Sequence, residues 1–355
     1  MGDTVYPPWV FCNPLCASDQ AAATVEPPCT SRRVVAVVAS SPRELAPRCA
    51  LFAPAPDNPL DTRHGIGPEL TDRMMATARA FFALPEAEKL AIENTLSPHF
   101  RGYTRMGGEL TRGATDWREQ IDIGAERDAV PLGPGVPDFW ALEGPNLWPA
   151  GLTALREVAT EWMDRLGAVS VTLLRSWAEA LGAPADTFDA AFAGDASPHL
   201  KIARYPGREQ AEGTQGVGAH KDLGVLTLLY VEEGKGGLQV EKDGEWIDAP
   251  AVPGAFVVNI GELLEIATNG YLKATLHRVQ SPAPGDTRIS VPFFFGPALD
   301  AEIPTIALPP ELAAEAEGVT LDPDNPLHPV FGVNWLKSRV RSHPNVVEAH
   351  YPHWL

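Results

Sequence analysis

The stretch VGAHKDLGVLTLLY, residues 217–230, carries two messages at once. Its second half, from Val225 to Tyr230, is a run of β-branched and apolar side chains behind a glycine, the composition of a strand. At the mouth of that run stand His220 and Asp222, two positions apart. In a strand, residues i and i+2 point to one face, so the imidazole and the carboxylate would converge. A metal ion is a reason to bring them together, and it needs a third ligand. TLHRVQSP supplies one, because His277 heads another strand-like run 57 residues after His220. Two histidines and one carboxylate form a facial set with open coordination positions, which suits non-haem Fe(II) meeting O2 and a substrate together. An H-x-D pair alone would carry little weight, since a capping aspartate beside a surface histidine gives the same pattern.

Outward from this stretch the same texture continues. HLKIARYP, VLTLLYVEE, GLQVEKDGEWIDA, AFVVNIG, LHRVQSP and RISVPFFFG follow one another from residue 198, each a short strand divided from the next by turn residues. KDGEW at 242–246 signals a hairpin with Asp-Gly at its turn. Many short strands at regular spacing predict a sandwich, barrel or jelly roll. Earlier in the chain the period is helical. Leu70, Met74, Ala78, Phe81 and Phe82 lie on one stripe, and Pro85 separates that helix from a second short one. Residues 97–148, rich in Gly and Pro, read as loops with short strands. Residues 150–182 read as one long amphipathic helix with Leu155, Trp162, Leu166, Leu173 and Trp177 on its core face, stopped by LGAP. A further short helix is expected near 335–341. Helices followed by strands give an α+β class with the chemistry in the β part.

Arg288 and Ser290 form a second i, i+2 pair, in TRISVPFFF. A guanidinium grips a carboxylate bidentately, and the serine hydroxyl adds a donor. The alternation of Phe293, Phe294 and Phe295 offers one face to a pocket, and Phe293 and Phe295 are candidates to line it. Arg101, Tyr103, Arg118 and Glu119 are read either as pocket residues or as surface-loop residues. Glu262 and Glu265 fit a helix terminus better than a catalytic pair. GVGAHK lacks the ending and the context of a phosphate loop. His350 and His353 read as solvated tail residues.

The 355 residues are 45% hydrophobic and 21% charged, a globular composition for a chain of one large or two ordinary domains. No apolar run approaches the roughly 20 residues that span a bilayer. The N-terminus has no basic region, and Pro7, Pro8 and Pro14 break its apolar residues, which argues against a secretory signal. A net charge of −18 opposes a phosphate-backbone partner and favours a small molecule. The expectation is a soluble, cytoplasmic monomer that binds neither nucleic acid nor membrane. All four cysteines fall at or before Cys49, so a metal site in the main body is built from nitrogen and oxygen.

Taken in order, HGIGPEL, FFALPEAEK, RGYTRMGGE, GPNLWP, LKIARYPG, GAHKDLGVLTLLY, GGLQV, VVNIGELLEIATNG, LHRV and RISVPFFF carry a family likeness. From His64 onward the chain resembles the isopenicillin N synthase-like branch of the Fe(II)/2-oxoglutarate-dependent dioxygenases, especially its bacterial members. The resemblance implies a double-stranded β-helix, or jelly roll, flanked by helices. It implies that His220, Asp222 and His277 bind Fe(II), and that Arg288 and Ser290, joined by Tyr205, hold the distal carboxylate of 2-oxoglutarate. Lys201 falls where some relatives have a pocket-facing lysine, whereas Ala203-Arg204 replaces the Asn-Tyr of plant members. The implied reaction is oxidative decarboxylation of 2-oxoglutarate by O2 to succinate and CO2, coupled to hydroxylation, desaturation or ring closure of a small-molecule substrate. Two alternatives stay open: an isopenicillin N synthase-like oxidase that needs no 2-oxoglutarate, and a non-catalytic jelly-roll binding protein.

The expected organisation is an atypical segment over 1–62, a helical and loop region over 63–197, the jelly-roll core over 198–300 and a packing extension over 301–355. Ten of the 35 prolines lie in 1–62, where they interrupt any long helix. That segment is expected to be poorly ordered, either a translation of a shifted frame or a divergent extension.

Overall fold

Two helices that pack on one side of a sheet explain the apolar stripes. A computed structural model of the chain describes residues 64–355 except 210–212, 321, 323–324 and 355. It adds the backbone of a small antiparallel hairpin, β1 (Pro54–Ala55) and β2 (Asn58–Thr62). Apart from that hairpin, the expectations for residues 1–62 and the cysteines fall outside the described residues.

α1 (Pro68–Phe82) begins with proline in its first turn, where the missing N–H costs nothing, and buries Leu70, Met74, Ala78, Phe81 and Phe82. α2 (Glu86–Leu90) follows Pro85. The next region holds four short strands: β3 (Gly102–Thr104), β4 (Leu110–Thr111), β5 (Ala114–Thr115) and β6 (Glu119–Gly124). α3 (Ala154–Ala180) is somewhat shorter than the 150–182 span expected, and Gly182, at φ +79°, takes the left-handed conformation after it. α4 (Asp189–Phe192) precedes the strand-rich half.

That half runs through β7 (His199–Pro206), β8 (Gln215–His220), β9 (Leu226–Val231), β10 (Leu238–Lys242), β11 (Glu245–Asp248) and β12 (Val257–Ile260). α5 (Glu262–Ala267), β13 (His277–Gln280) and β14 (Thr287–Phe295) complete it. The chain ends in α6 (Pro310–Ala313), α7 (Phe331–Ser342) and α8 (Pro344–His350). Asp243 and Gly244 both have positive φ, +53° and +84°, so the β10–β11 turn has the left-handed pair that the Asp-Gly signal predicts.

One sheet has the order β12-β9-β14-β7-β6-β3 and the other β11-β10-β13-β8, with antiparallel pairing throughout. From β7 to β14 the chain crosses between the two sheets at nearly every strand, which is the winding of a double-stranded β-helix. The expected jelly roll flanked by helices is therefore present, with α3 as its long helix.

Strand alternation divides the larger sheet into two faces. Leu200, Ile202, Ile289, Val291, Phe293 and Phe295 belong to the apolar core shared with α1 and α3. Ala203 and Tyr205 turn the other way and pack with Val217, Val240 and Val279 of the smaller sheet. Among the described residues, no helix is long and apolar enough to cross a membrane.

Trp162 anchors the helical side. It is fully buried, with ring centroids 5.7 Å from Tyr230 and 5.6 Å from Phe256. Trp162→Ala should cost about 3–5 kcal/mol of stability, measured as a fall in the urea midpoint at unchanged slope. A cost below about 1 kcal/mol would show that this face is not core.

Candidate active site

The pairing of β13 with β8 sets His277 directly opposite His220, and their ring centroids are 4.3 Å apart. Nε2 of each histidine lies 3.7 Å from Asp222 Oδ1. The three candidate ligand atoms lie within 4.8 Å of one another. His220 Nδ1 is 2.8 Å from the Gly218 carbonyl and His277 Nδ1 is 3.0 Å from the Thr275 carbonyl. A ring N–H donated to each carbonyl puts the proton on Nδ1 and leaves the Nε2 lone pairs aimed at one point.

Asp222 does not sit on the strand with His220, as the spacing argument supposed. β8 ends at His220, and Asp222 lies in the loop beyond it. The first turn of α5 holds that loop. Glu262 N–H donates to the Asp222 carbonyl at 2.8 Å, Leu263 N–H to Gly224 at 3.2 Å and Gly261 N–H to Val225 at 2.9 Å. A Cβ on Gly261 would stand 2.0 Å from the Gly224 carbonyl oxygen, so only glycine allows this approach. The carboxylate is fixed as well, because Oδ2 accepts from the Thr227 hydroxyl at 2.7 Å and from Asn259 Nδ2 at 2.6 Å. Oδ1 is left facing the histidines.

Burial, and then the neighbouring His277, pushes the His220 imidazole down to about 4. Burial opposes ionisation of Asp222, but the two histidines and its hydrogen bonds outweigh it and hold the carboxyl below its ordinary value. Two imidazole nitrogens and one carboxylate oxygen converging on one point are a donor set that fits a divalent cation.

Arg288 lies on β14 opposite Tyr205 of β7, its guanidinium carbon 4.9 Å from the tyrosine ring centroid. The residue is 1% exposed. Its Nε, Nη1 and Nη2 make no hydrogen bond of good geometry among the described residues. Ser290, also buried, follows two positions later on the same face. A buried, unpaired cation is costly, and an anion relieves that cost. Arg118 Nη1 reaches the Tyr205 hydroxyl at 3.4 Å. Burial works against ionisation of that hydroxyl, but the charges of Arg118 and Arg288 hold it below its ordinary value.

The remaining candidates divide by strand face. Lys201 faces inward in a buried ion network, with Nζ donating to Glu109 Oε1 at 2.6 Å and lying 3.8 Å from Asp122 Oδ1. Arg118 donates to Glu109 Oε2 at 2.5 Å, and Arg339 to Asp122 at 3.0 Å. His199 Nε2 lies 2.7 Å from the same Asp122 oxygen. His343 is buried, 4.0 Å from both Glu109 and Asp122. Arg101 lies behind His199, bonded to its Nδ1 at 3.1 Å and to the Leu142 carbonyl at 3.0 Å. It touches none of the metal-facing or Arg288-facing groups.

Tyr103 does not line a pocket. It pairs with Ile121 on the helix side and donates to Glu119 Oε2 at 2.6 Å, beside Lys89. Phe293 and Phe295 are corrected too. They have the opposite parity from Arg288 and Ser290, and belong to the core under α1 and α3. Phe294 has the inward parity and lies 6.0 Å from His199 and 6.4 Å from Trp335. His350 is no free tail residue, because its Nε2 is 2.8 Å from the Thr95 carbonyl. Glu265 lies in α5, 1% exposed, and its carboxylate accepts the N–H groups of Ala274 and Thr320, outside the helix, instead of capping a helix end. Sequence reasoning missed Thr227 and Asn259 as supports of Asp222. A lone asparagine inside the apolar run FVVNIG was the available signal for one of them.

The comparisons agree with this geometry. The 2OG-Fe(II) oxygenase superfamily matches residues 196–297, and the N-terminal family of the non-haem dioxygenase in morphine synthesis matches residues 62–151. The chain is 39% identical to a 2-oxoglutarate-dependent dioxygenase of Dothideomycetidae sp. (strain 11243), over 82% of this chain and 83% of that protein. It is 37% identical to a homoarginine-6-hydroxylase of Arabidopsis thaliana, over 68% and 73% of the two chains. A solved structure of a putative 2OG-Fe(II) oxygenase family protein from Caulobacter crescentus is similar at TM-score 0.61 and 31% identity, covering 78% of this chain and 87% of that one. The chain belongs to the 2OG-Fe(II) oxygenase superfamily. It is a non-haem iron oxidoreductase that uses Fe(II) and 2-oxoglutarate. Because these relatives are fungal, plant and bacterial, the narrower likeness to bacterial members is not supported.

The buried network makes the fold acid-sensitive. Burial pushes His199 and His343 down to about 3, against an ordinary value near 6.5. Below about pH 6.5 the unfolded chain therefore binds protons that the folded protein does not, and stability falls toward pH 3. Asp122, held low chiefly by Lys201 and Arg339 against the opposing effect of its burial, adds to the loss below about pH 4. Urea midpoints at pH 7.5, 6.5, 5.5 and 4.5 should decline least in the first step and more steeply in the last two. A midpoint that is flat down to pH 4.5 would contradict the buried neutral histidines.

Proposed function

We propose that His220, Asp222 and His277 hold the Fe(II) of this enzyme, and that Arg288 with Ser290 and Tyr205 holds the distal carboxylate of 2-oxoglutarate. The observation that carries this reading is Arg288. It is a guanidinium buried to 1% exposure, with no hydrogen bond of good geometry among the described residues, inside the same barrel as a convergent His-Asp-His set. With O2 and 2-oxoglutarate, bound Fe(II) supplies the oxidising power that removes hydrogen from the substrate, with release of succinate and CO2. The chain's own residues do the rest. The Gly218 and Thr275 carbonyls orient the imidazoles, Thr227 and Asn259 aim Asp222, and the apolar wall of Val217, Val240 and Val279 keeps water from the anchored carboxylate. The prime substrate is a small molecule that enters on the His220 side, where the ligand set is most exposed.

We also read 63–197 as the helical part of the oxygenase, 198–300 as its jelly-roll core and 301–355 as an extension packed on that core. Contacts of the extension with the buried network, through Arg339 and His343, support this division.

Alanine at His220, Asp222 or His277 should abolish substrate-dependent succinate release while leaving circular dichroism unchanged, since the ligands sit on a preformed scaffold. Wild-type oxygen consumption in all three variants would refute the ligand assignment. Arg288→Lys keeps the charge and loses the planar fork, so it should raise the 2-oxoglutarate requirement about tenfold or more. An unchanged requirement would mean that Arg288 serves a substrate carboxylate, as in an oxidase that needs no cosubstrate.

A further inference from the structure

Asp116 and Arg118 belong to neither of the ligand sets above, yet hydrogen bonds run from them to both. They lie at the base of the hairpin formed by β4 and β5. Asp116 is fully buried. Its Oδ1 accepts from Gly218 N–H at 3.0 Å and from Gln215 Nε2 at 3.1 Å, and its Oδ2 accepts from the Thr111 hydroxyl at 2.7 Å. Gly218 is the residue whose carbonyl holds His220 Nδ1. The aspartate thus fixes on one side the residue that orients a metal-facing imidazole on the other. The hairpin is also seated directly on β8. Trp117 N–H donates to the Gln215 carbonyl at 3.1 Å, and a Cβ on Gly218 would stand 2.9 Å from Thr111.

Arg118 faces the other set. Nη1 reaches the Tyr205 hydroxyl at 3.4 Å, while Nη2 donates to Glu109 and lies 3.4 Å from Asp116 Oδ2. Tyr205 in turn lies beneath the Arg288 guanidinium.

We propose that Asp116 and Arg118 are positioning residues through which the 109–118 hairpin sets His220 for the metal and Tyr205 for the cosubstrate. This rests on the ligand assignment under Proposed function. The two arms touch where Arg118 Nη2 lies 3.4 Å from Asp116 Oδ2, but they act chiefly on different ligands. Asp116 acts on metal affinity through Gly218, and Arg118 acts on 2-oxoglutarate affinity through Tyr205. Outer partners of metal-ligating histidines commonly change metal affinity 10–100-fold, whereas loss of a charged hydrogen bond weakens a ligand by about tenfold or more.

The test titrates full-length apoprotein with Co(II), followed by visible absorbance, and then titrates the anaerobic Fe(II) protein with 2-oxoglutarate. Asp116→Ala should weaken Co(II) binding by about tenfold or more. Asp116→Asn, which keeps an oxygen acceptor for Gly218 N–H, should recover most of it. Arg118→Gln should weaken 2-oxoglutarate by about tenfold and Co(II) by a smaller factor, because Arg118 also lies 3.4 Å from Asp116 Oδ2. If Asp116→Ala does not fold, Thr111→Val removes one hydrogen bond from Asp116 at a milder position. Weakened Co(II) binding there supports the inference, and wild-type binding overturns it. Equal damage from the Ala and Asn variants, or wild-type 2-oxoglutarate affinity in Arg118→Gln, also overturns it. A wild-type protein that binds neither Co(II) nor 2-oxoglutarate refutes the ligand assignment itself, and this inference with it.

Discussion

His277 stands opposite His220 in the antiparallel ladder of β13 and β8, and a slip of one residue in that pairing would turn one imidazole out of the site. The ladder is irregular just beyond this pair, where the register shifts between His277 and Val279. Such irregularities re-aim side chains at barrel rims. The glycines of β8 are part of the same constraint. Gly216 has the Tyr205 ring where a Cβ would go, and Gly218 has Thr111. Side chains at either position would force β8 away from the larger sheet or from the hairpin. The convergence of the histidines therefore depends on backbone register and close approach as much as on the ligands.

Two kinds of buried charge lie inside the barrel, and they differ in how they are compensated. Glu109, Asp116 and Asp122 are matched by Arg118, Lys201 and Arg339 at hydrogen-bond or ion-pair distance, with His199 and His343 neutral between them. A closed set of this kind adds little net stability, but removing one member leaves a buried charge unpaired. It fixes the relative placement of β6, β7, the 109–118 hairpin and α7. Arg288 lies outside that set and is left without a carboxylate partner among the described residues. The contrast separates two roles: the compensated charges hold the walls, and the uncompensated one retains its capacity to pair with an anion.

Much of this was legible in the sequence wherever periodicity decides burial. The stripe of α3, the Asp-Gly turn and the alternation of β14 follow from which side of an element meets the core. Tyr103, Phe293 and Phe295 were misassigned although the information was present. The parity that puts Arg288 and Ser290 inside requires Phe293 and Phe295 to face the helices. The convergence of His220 and Asp222 was read correctly through a strand geometry that does not exist. α5 brings the carboxylate in by binding the loop that carries it, and no local spacing encodes a contact between Asp222 and Glu262. The ion network was illegible for a similar reason. Its members come from 109, 116, 118, 122, 199, 201, 339 and 343, and only the fold brings the distant ones together.

β14 shows why the two faces of one strand answer to different pressures. Its odd-numbered residues from Ile289 to Phe295 pack against the helical layer, while Arg288 and Ser290 face the barrel. A change on the helical face would act on the position of the strand itself, through volume in a close-packed core. A change at Arg288 would act on charge at an almost unaltered backbone. The same division applies to β7, where Leu200 and Ile202 face α3 and Lys201 and Tyr205 face the site. The helical layer is thus the means by which Arg288, Ser290 and Tyr205 keep a common register with the polar wall. The N-terminal helices contribute to the chemistry by holding the larger sheet in place, without supplying a side chain to the ligand sets.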